Sequence, residues 1–117
     1  MKTLIDTSAW IQFFSKGGCQ EVADLLSEDH VLIHSKILGE LACGNFSERN
    51  KYLSDLKMLP HAIELSDQEC LQFIEKDRLY GKGLSFIDIH LIASARVTDC
   101  NILTFDRALK KHLKAGS

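Results

Sequence analysis

Proline is nearly absent from this chain of 117 residues: Pro60 stands alone. Glycine occurs at only seven positions, and nothing reads as a linker, a repeat or a low-complexity tract. An excess of charge of one sign is missing too. Lys and Arg number 14 against 16 Asp and Glu, a formal net charge of −2, which excludes a chain drawn to nucleic acid or membrane by its overall field. No apolar run approaches the roughly 20 residues of a membrane span. The cysteines Cys19, Cys43, Cys70 and Cys100 form no CxxC pair and fit no zinc ribbon or finger. There is no HExxH pair among the histidines, and Gly81-Lys82-Gly83 lacks the pattern of a Walker phosphate loop.

What is present describes an ordinary globular domain. Hydrophobic residues make up 45% and charged ones 26%, enough for one core and one domain over residues 1–117. A strand-like run begins almost at Met1, so no signal peptide is expected. The expected protein is cytoplasmic, with free thiols and no membrane association. Cys43 and Cys100 lie in apolar contexts and are expected to be buried. Trp10, Phe13 and Phe14 are read as core rather than as an aromatic partner groove.

Strands are expected at residues 2–5, 31–33, 61–65 and 101–105. Helices are expected at residues 8–15, 20–27, 35–43, 47–58, from 66 or 67 to about 80, 85–97 and 107–114. Gly17-Gly18 and Gly44 supply stops, and Ser35 supplies a start. Ser66 with Glu69 matches a capping box. The helix at 85–97 is apolar nearly all round, which marks a central, buried element. Strands separated by helices imply right-handed crossovers. The expected fold is therefore a three-layer α/β/α sandwich around a short parallel sheet of four or five strands. In such sheets function gathers beyond the carboxyl ends of the strands, where strand order reverses.

Four carboxylates meet that rule. Asp6 follows the first strand and Asp106 the last. Glu40 lies in the second turn of the helix after the second strand. Asp88 opens the apolar helix. Each has a bland alternative: Asp6 and Asp106 as helix caps, Glu40 as a solvated helix residue, Asp88 as an acid favouring a helix amino end. Gathered in one cleft, four carboxylates repel, and divalent cations compensate them. Oxygen-only ligands favour Mg²⁺ or Mn²⁺ over zinc. Such a site suits phosphodiester hydrolysis by metal-activated water.

The segments carrying these acids are similar to a known family. Leu4-Ile5-Asp6-Thr7-Ser8-Ala9-Trp10 resembles the opening of PIN domains, especially VapC-type toxins. Ile37-Leu38-Gly39-Glu40-Leu41-Ala42-Cys43-Gly44 resembles their second block. The run from Gly83 through Asp88 to Ala95 resembles the third, and Ile102-Leu103-Thr104-Phe105-Asp106 the fourth. All four blocks occur in the family's order, over nearly the whole chain. The resemblance implies a PIN-like fold and an endoribonuclease using Mg²⁺ or Mn²⁺. It implies Asp6, Glu40, Asp88 and Asp106 as catalytic metal ligands, with Thr7, Ser8 and Thr104 as accessory polar positions. It also implies an RNA substrate, a homodimer and an antitoxin protein partner, as in a type II toxin–antitoxin pair. One departure is visible: PIN domains commonly add a fifth edge strand after the last helix, and here only Lys114-Ala115-Gly116-Ser117 remain.

Lys82, Arg107 and Lys110 are the candidate RNA contacts, with Lys111 and Lys114 nearby; a solvated face is the plainer reading of each. His90 is expected to be a hydrogen-bonded core residue, and His34 is left without a role. Two other functions compete. A non-catalytic PIN-like module would bind RNA or protein. A phosphoaspartate receiver would need paired acids at the first strand and a lysine after a late one, where this chain has Asp6 alone and Asp106.

Overall fold

The structure is a computed structural model and describes residues 1–115. In chain order the elements are β1 (Thr3–Ile5), α1 (Thr7–Phe14), α2 (Gln20–Ser27), β2 (Val31–Leu32), α3 (Ser35–Cys43), α4 (Arg49–Lys57), α5 (Asp67–Asp77), α6 (Phe86–Thr98), β3 (Asn101–Leu103) and α7 (Arg107–Ala115). The sheet is parallel, in the order β2-β1-β3. Thr3 pairs with Val31 on one side and Asn101 on the other, and Ile5 pairs with Leu103. Residues 3–5 are all buried, as expected of a central strand covered on both faces. Strand order reverses at β1, so the carboxyl ends of β1 and β3 flank the switch point. This is the expected α/β/α arrangement.

The sheet has fewer strands than expected. The segment at 61–65 contributes only a single parallel bridge, Ile33 to His61. The physical reason lies in its backbone partners. Ala62 N–H donates to Ile33 O, but the next amide, Ile63 N–H, donates to the Thr98 hydroxyl at 2.9 Å. Glu64 then turns its carboxylate onto Ser35. Side chains thus satisfy groups that a longer ladder would have paired. No strand follows α7 among the described residues, and residues 116–117 of the expected domain lie outside them.

The core is built by the expected faces. Leu4, Ile5, Trp10, Ile33, Ile37, Leu91 and Leu109 are fully buried. Trp10 is fully buried and stacks on Phe14 at 5.9 Å, while Phe13 and Phe14 are half-buried and pack against the core from its edge. Seven consecutive residues of α6, residues 89–95, are buried. Its two polar members are bonded: His90 Nε2 lies 2.8 Å from Asp67 Oδ1, and Ser94 Oγ lies 3.0 Å from His34 Nε2. Two local expectations fail. α5 ends at Asp77 because Arg78 adopts a left-handed conformation, φ 53°, which lets Leu79 N–H donate to Ile74 O and bury its side chain. Cys43 is exposed, because α3 points Ile37 and Leu41 inward and Cys43, two residues on, faces away; Cys100 is only half-buried.

Candidate active site

Three helices begin at the switch-point edge of the sheet, and three of the four acids sit at those beginnings. Asp6 is the N-cap of α1: its Oδ1 accepts the Thr7 N–H at 2.7 Å. Asp106 starts α7, its Oδ2 accepting the Leu109 N–H at 3.0 Å. Asp88 is the third residue of α6, where it completes a capping box with Ser85: Ser85 N–H donates to Asp88 Oδ2 at 2.9 Å, and Asp88 N–H to Ser85 Oγ at 3.1 Å. The bland readings of these residues are therefore correct. They are compatible with the chemical ones, since capping occupies a single oxygen of Asp88 and of Asp106. Glu40, in the second turn of α3, accepts the Thr7 hydroxyl on Oε1 at 2.5 Å.

Asp6 is the anchor. It is buried, and its Oδ2 accepts the Thr104 hydroxyl at 2.6 Å and the Ser8 hydroxyl at 3.2 Å. Thr104 Oγ1 also accepts the Asp106 N–H at 3.0 Å, and Ser8 Oγ accepts the Phe105 N–H at 2.9 Å. The Thr104 hydroxyl proton points at Asp6, while the Ser8 hydroxyl stands between Asp6 Oδ2 and Thr104 Oγ1, the latter 3.3 Å away. Thr7, Ser8 and Thr104 each hydrogen-bond one of the carboxylates: Thr7 bonds Glu40, and Ser8 and Thr104 bond Asp6.

Asp6, Glu40, Asp88 and Asp106 together line one open cleft of about 380 Å³, with Thr7, Ser8 and Ser85. Burial pushes the Asp88 carboxyl above the ordinary aspartate range. The Ser85 N–H pulls it down, while the charges of Asp6 and Asp106 push it up again. The acids therefore feel one another, as an uncompensated cluster should. Asp88 Oδ1, Asp106 Oδ1 and Glu40 Oε2 accept no hydrogen bond among the described residues. A hard, all-oxygen donor set with spare lone pairs fits Mg²⁺ or Mn²⁺. The side chains do not yet close into a cage: among the described residues no three His, Cys, Asp or Glu groups stand as a ready metal site.

The expected RNA contacts fall outside this cleft. Lys82 is exposed in the loop before α6, next to Gly83, which does line the cleft. Arg107 and Lys110 line a separate groove along α7. His34 is fully buried and caps α3: its Nδ1 accepts the Lys36 N–H, so the ring proton sits on Nε2, toward Ser94. Ser85 went unread as a site residue, although Ser85-x-x-Asp88 before an apolar run is a capping-box signal. Exposed Ile11, which also lines the cleft, gave no such signal.

The class defined so far is a parallel α/β fold with acids from four separated segments gathered beside its strand-order switch. The sequence model described as PIN domain matches residues 3–114, and the chain belongs to that family. It is 32% identical over 108 residues to Ribonuclease VapC32 of Mycobacterium tuberculosis, in strains CDC 1551 / Oshkosh and ATCC 25618 / H37Rv, covering 92% of this chain and 86% of the relative. The crystal structure of PAE2754 from Pyrobaculum aerophilum superposes with a TM-score of 0.59 at 16% identity, covering 93% of this chain and 77% of that one, which supports the fold.

Proposed function

We propose that this protein is a Mg²⁺- or Mn²⁺-dependent endoribonuclease, the toxin of a toxin–antitoxin pair. The observation that carries the reading is the convergence of Asp6, Glu40, Asp88 and Asp106 on one cleft, from segments up to a hundred residues apart in sequence. The relatives named Ribonuclease VapC32 support RNA as the substrate. The VapC name of those relatives supports an antitoxin partner, and a homodimer and a cytoplasmic location belong to the same reading.

Asp6, Glu40, Asp88 and Asp106 are the residues that would hold the cation. When bound, it supplies charge neutralisation at phosphorus and an acidified water. The chain's own contribution is positioning. Thr104 and Ser8 lock the Asp6 carboxylate, Thr7 steers Glu40, and the capping bonds turn one oxygen of Asp88 and of Asp106 away, leaving the other for the cleft. Burial and the charges of Asp6 and Asp106 disfavour the ionised Asp88 carboxyl, and a cation beside it would relieve that cost.

A second reading is a non-catalytic module that binds RNA or protein through the same cleft without cutting. RNA cleavage by purified protein separates the two. The expected result is cutting with Mg²⁺ or Mn²⁺, abolished by EDTA and by Asp88→Asn. RNA that is bound but left intact with either metal would establish the binding module instead.

A further inference from the structure

The cleft makes no use of the side chain between Thr104 and Asp106. Phe105 is 40% exposed, and its ring stands between two open grooves. One groove, of about 440 Å³, is lined by Phe105 with Arg107, Lys110 and Lys111. The other, of about 350 Å³, runs along Leu103 and Thr104 to Lys110 and Glu21. Glu21 is the sole carboxylate lining either groove among the described residues, and α7 itself contains no acid. Lys110 Nζ lies 5.9 Å from the Phe105 ring centroid. In a chain of net charge −2, this is a local reversal of sign placed one residue from an acid of the cleft.

The ring is also tied to the site. Phe105 N–H donates to the Ser8 hydroxyl that bonds Asp6, and the next amide, of Asp106, donates to the Thr104 hydroxyl that bonds Asp6 as well. An aromatic platform is thus registered against the buried carboxylate through two shared hydroxyls.

We propose that Phe105 stacks on one unpaired base of the RNA beside the scissile bond, while Arg107, Lys110 and Lys111 hold the neighbouring phosphates. Cations alone would grip duplex and single strand alike, through phosphates. A ring face discriminates, because a duplex keeps its base faces stacked inside and an unpaired base offers one. Phe105 is accordingly the residue that favours a single-stranded segment or a loop over a duplex at this edge of the cleft. This inference rests on the ribonuclease reading above.

The test is fluorescence anisotropy in EDTA with a labelled, unstructured RNA of roughly a dozen nucleotides and a matched duplex, accompanied by cleavage with Mn²⁺. Phe105→Ala should weaken single-strand binding about tenfold, leaving duplex binding and the salt dependence unchanged. Phe105→Leu keeps the apolar bulk without the π-face and should show the same loss should alanine compromise folding; Phe105→Trp should restore binding. Lys111→Gln should instead lower the slope of log affinity against log salt by about 0.7. Wild-type-like affinity in a folded Phe105→Leu protein overturns the inference, as does an equal loss on duplex, or a changed oligomeric mass in place of a changed RNA affinity. If the wild type cuts RNA and the Phe105 variants bind and cut equally well, this inference alone falls. If the wild type neither binds nor cuts RNA, the ribonuclease reading falls with it.

Discussion

Replacing Thr104 by valine removes one hydroxyl and keeps the shape of the side chain. That hydroxyl, on a residue only 4% exposed, donates to Asp6 Oδ2 at 2.6 Å and accepts from Asp106 N at 3.0 Å. A hydrogen bond to a charged group contributes roughly 1.5–3 kcal/mol net. Asp6 keeps the Thr7 amide and the Ser8 hydroxyl, so the carboxylate is not orphaned and the lower half of that range applies. The Asp106 amide borders solvent and can turn to water, adding less than about 1 kcal/mol. The sum is roughly 2–3 kcal/mol, a fall in Tm of roughly 6–15 °C for a chain of this size. Thr104→Ser keeps the hydroxyl and loses a methyl, costing about 1 kcal/mol. In an Asp6→Ala background the acceptor is gone, and the valine substitution should cost about 1 kcal/mol or less. Urea denaturation in EDTA, followed by circular dichroism, reads all five proteins: wild type, the two Thr104 variants, Asp6→Ala and the double variant. Valine within about 0.5 kcal/mol of wild type, or serine and valine equally destabilised, would refute the assigned hydrogen bond. With Mg²⁺ or Mn²⁺ present, loss of this orienting group should lower RNA cleavage by roughly 10- to 100-fold.

Two predictions concern pH. The Asp88 carboxyl is raised in the fold, first by burial and then by the charges of Asp6 and Asp106. Its ionisation therefore opposes folding as pH climbs from the ordinary aspartate value of 3.8 through the raised one. In EDTA, Asp88→Asn should melt above wild type at neutral pH and lose that advantage toward pH 3.8; Mn²⁺ should stabilise wild type and not the variant. A less stable variant in EDTA at neutral pH would contradict this. The His34 ring is held below its ordinary value of 6.5, chiefly by burial, with Glu64 opposing. The unfolded chain then takes up a proton that the native ring resists, so wild-type stability should decline as pH falls from 6.5 toward the lowered value. His34→Asn keeps a capping side chain and should flatten that decline; an unchanged slope would point to other groups.

Legibility varied with how local each signal was. The capping box at Ser66 and the nearly all-round apolar pattern of α6 both describe interactions within a few residues, and both appear as read. The strand expected at 61–65 is only a bridge because a short run such as His61-Ala62-Ile63-Glu64-Leu65 says nothing about its neighbours. Here Thr98, 35 residues away, takes the Ile63 amide that a longer strand would have spent on the sheet. The helix ending at Asp77 was read too long because nothing in its apolar spacing reports that Arg78 turns left-handed. In the site, Asp6, Asp88 and Asp106 stood out by position, just past a strand or at a helix start, and Glu40 by its place one turn into the helix after β2.

By itself the sequence determined the parallel α/β class, the buried central helix and the edge of the sheet on which Asp6 and Asp106 emerge, because periodicity and strand–helix alternation are written residue by residue. Only the tertiary structure decided that Thr104, 98 positions away, holds Asp6. It also decided that capping engages one oxygen each of Asp88 and Asp106 while both residues line the cleft, and that Arg107 and Lys110 stand beside Phe105 rather than among the acids. These are contacts made by crossovers that bring distant segments together. Their partners, unlike a helix's own, have no fixed spacing to be read.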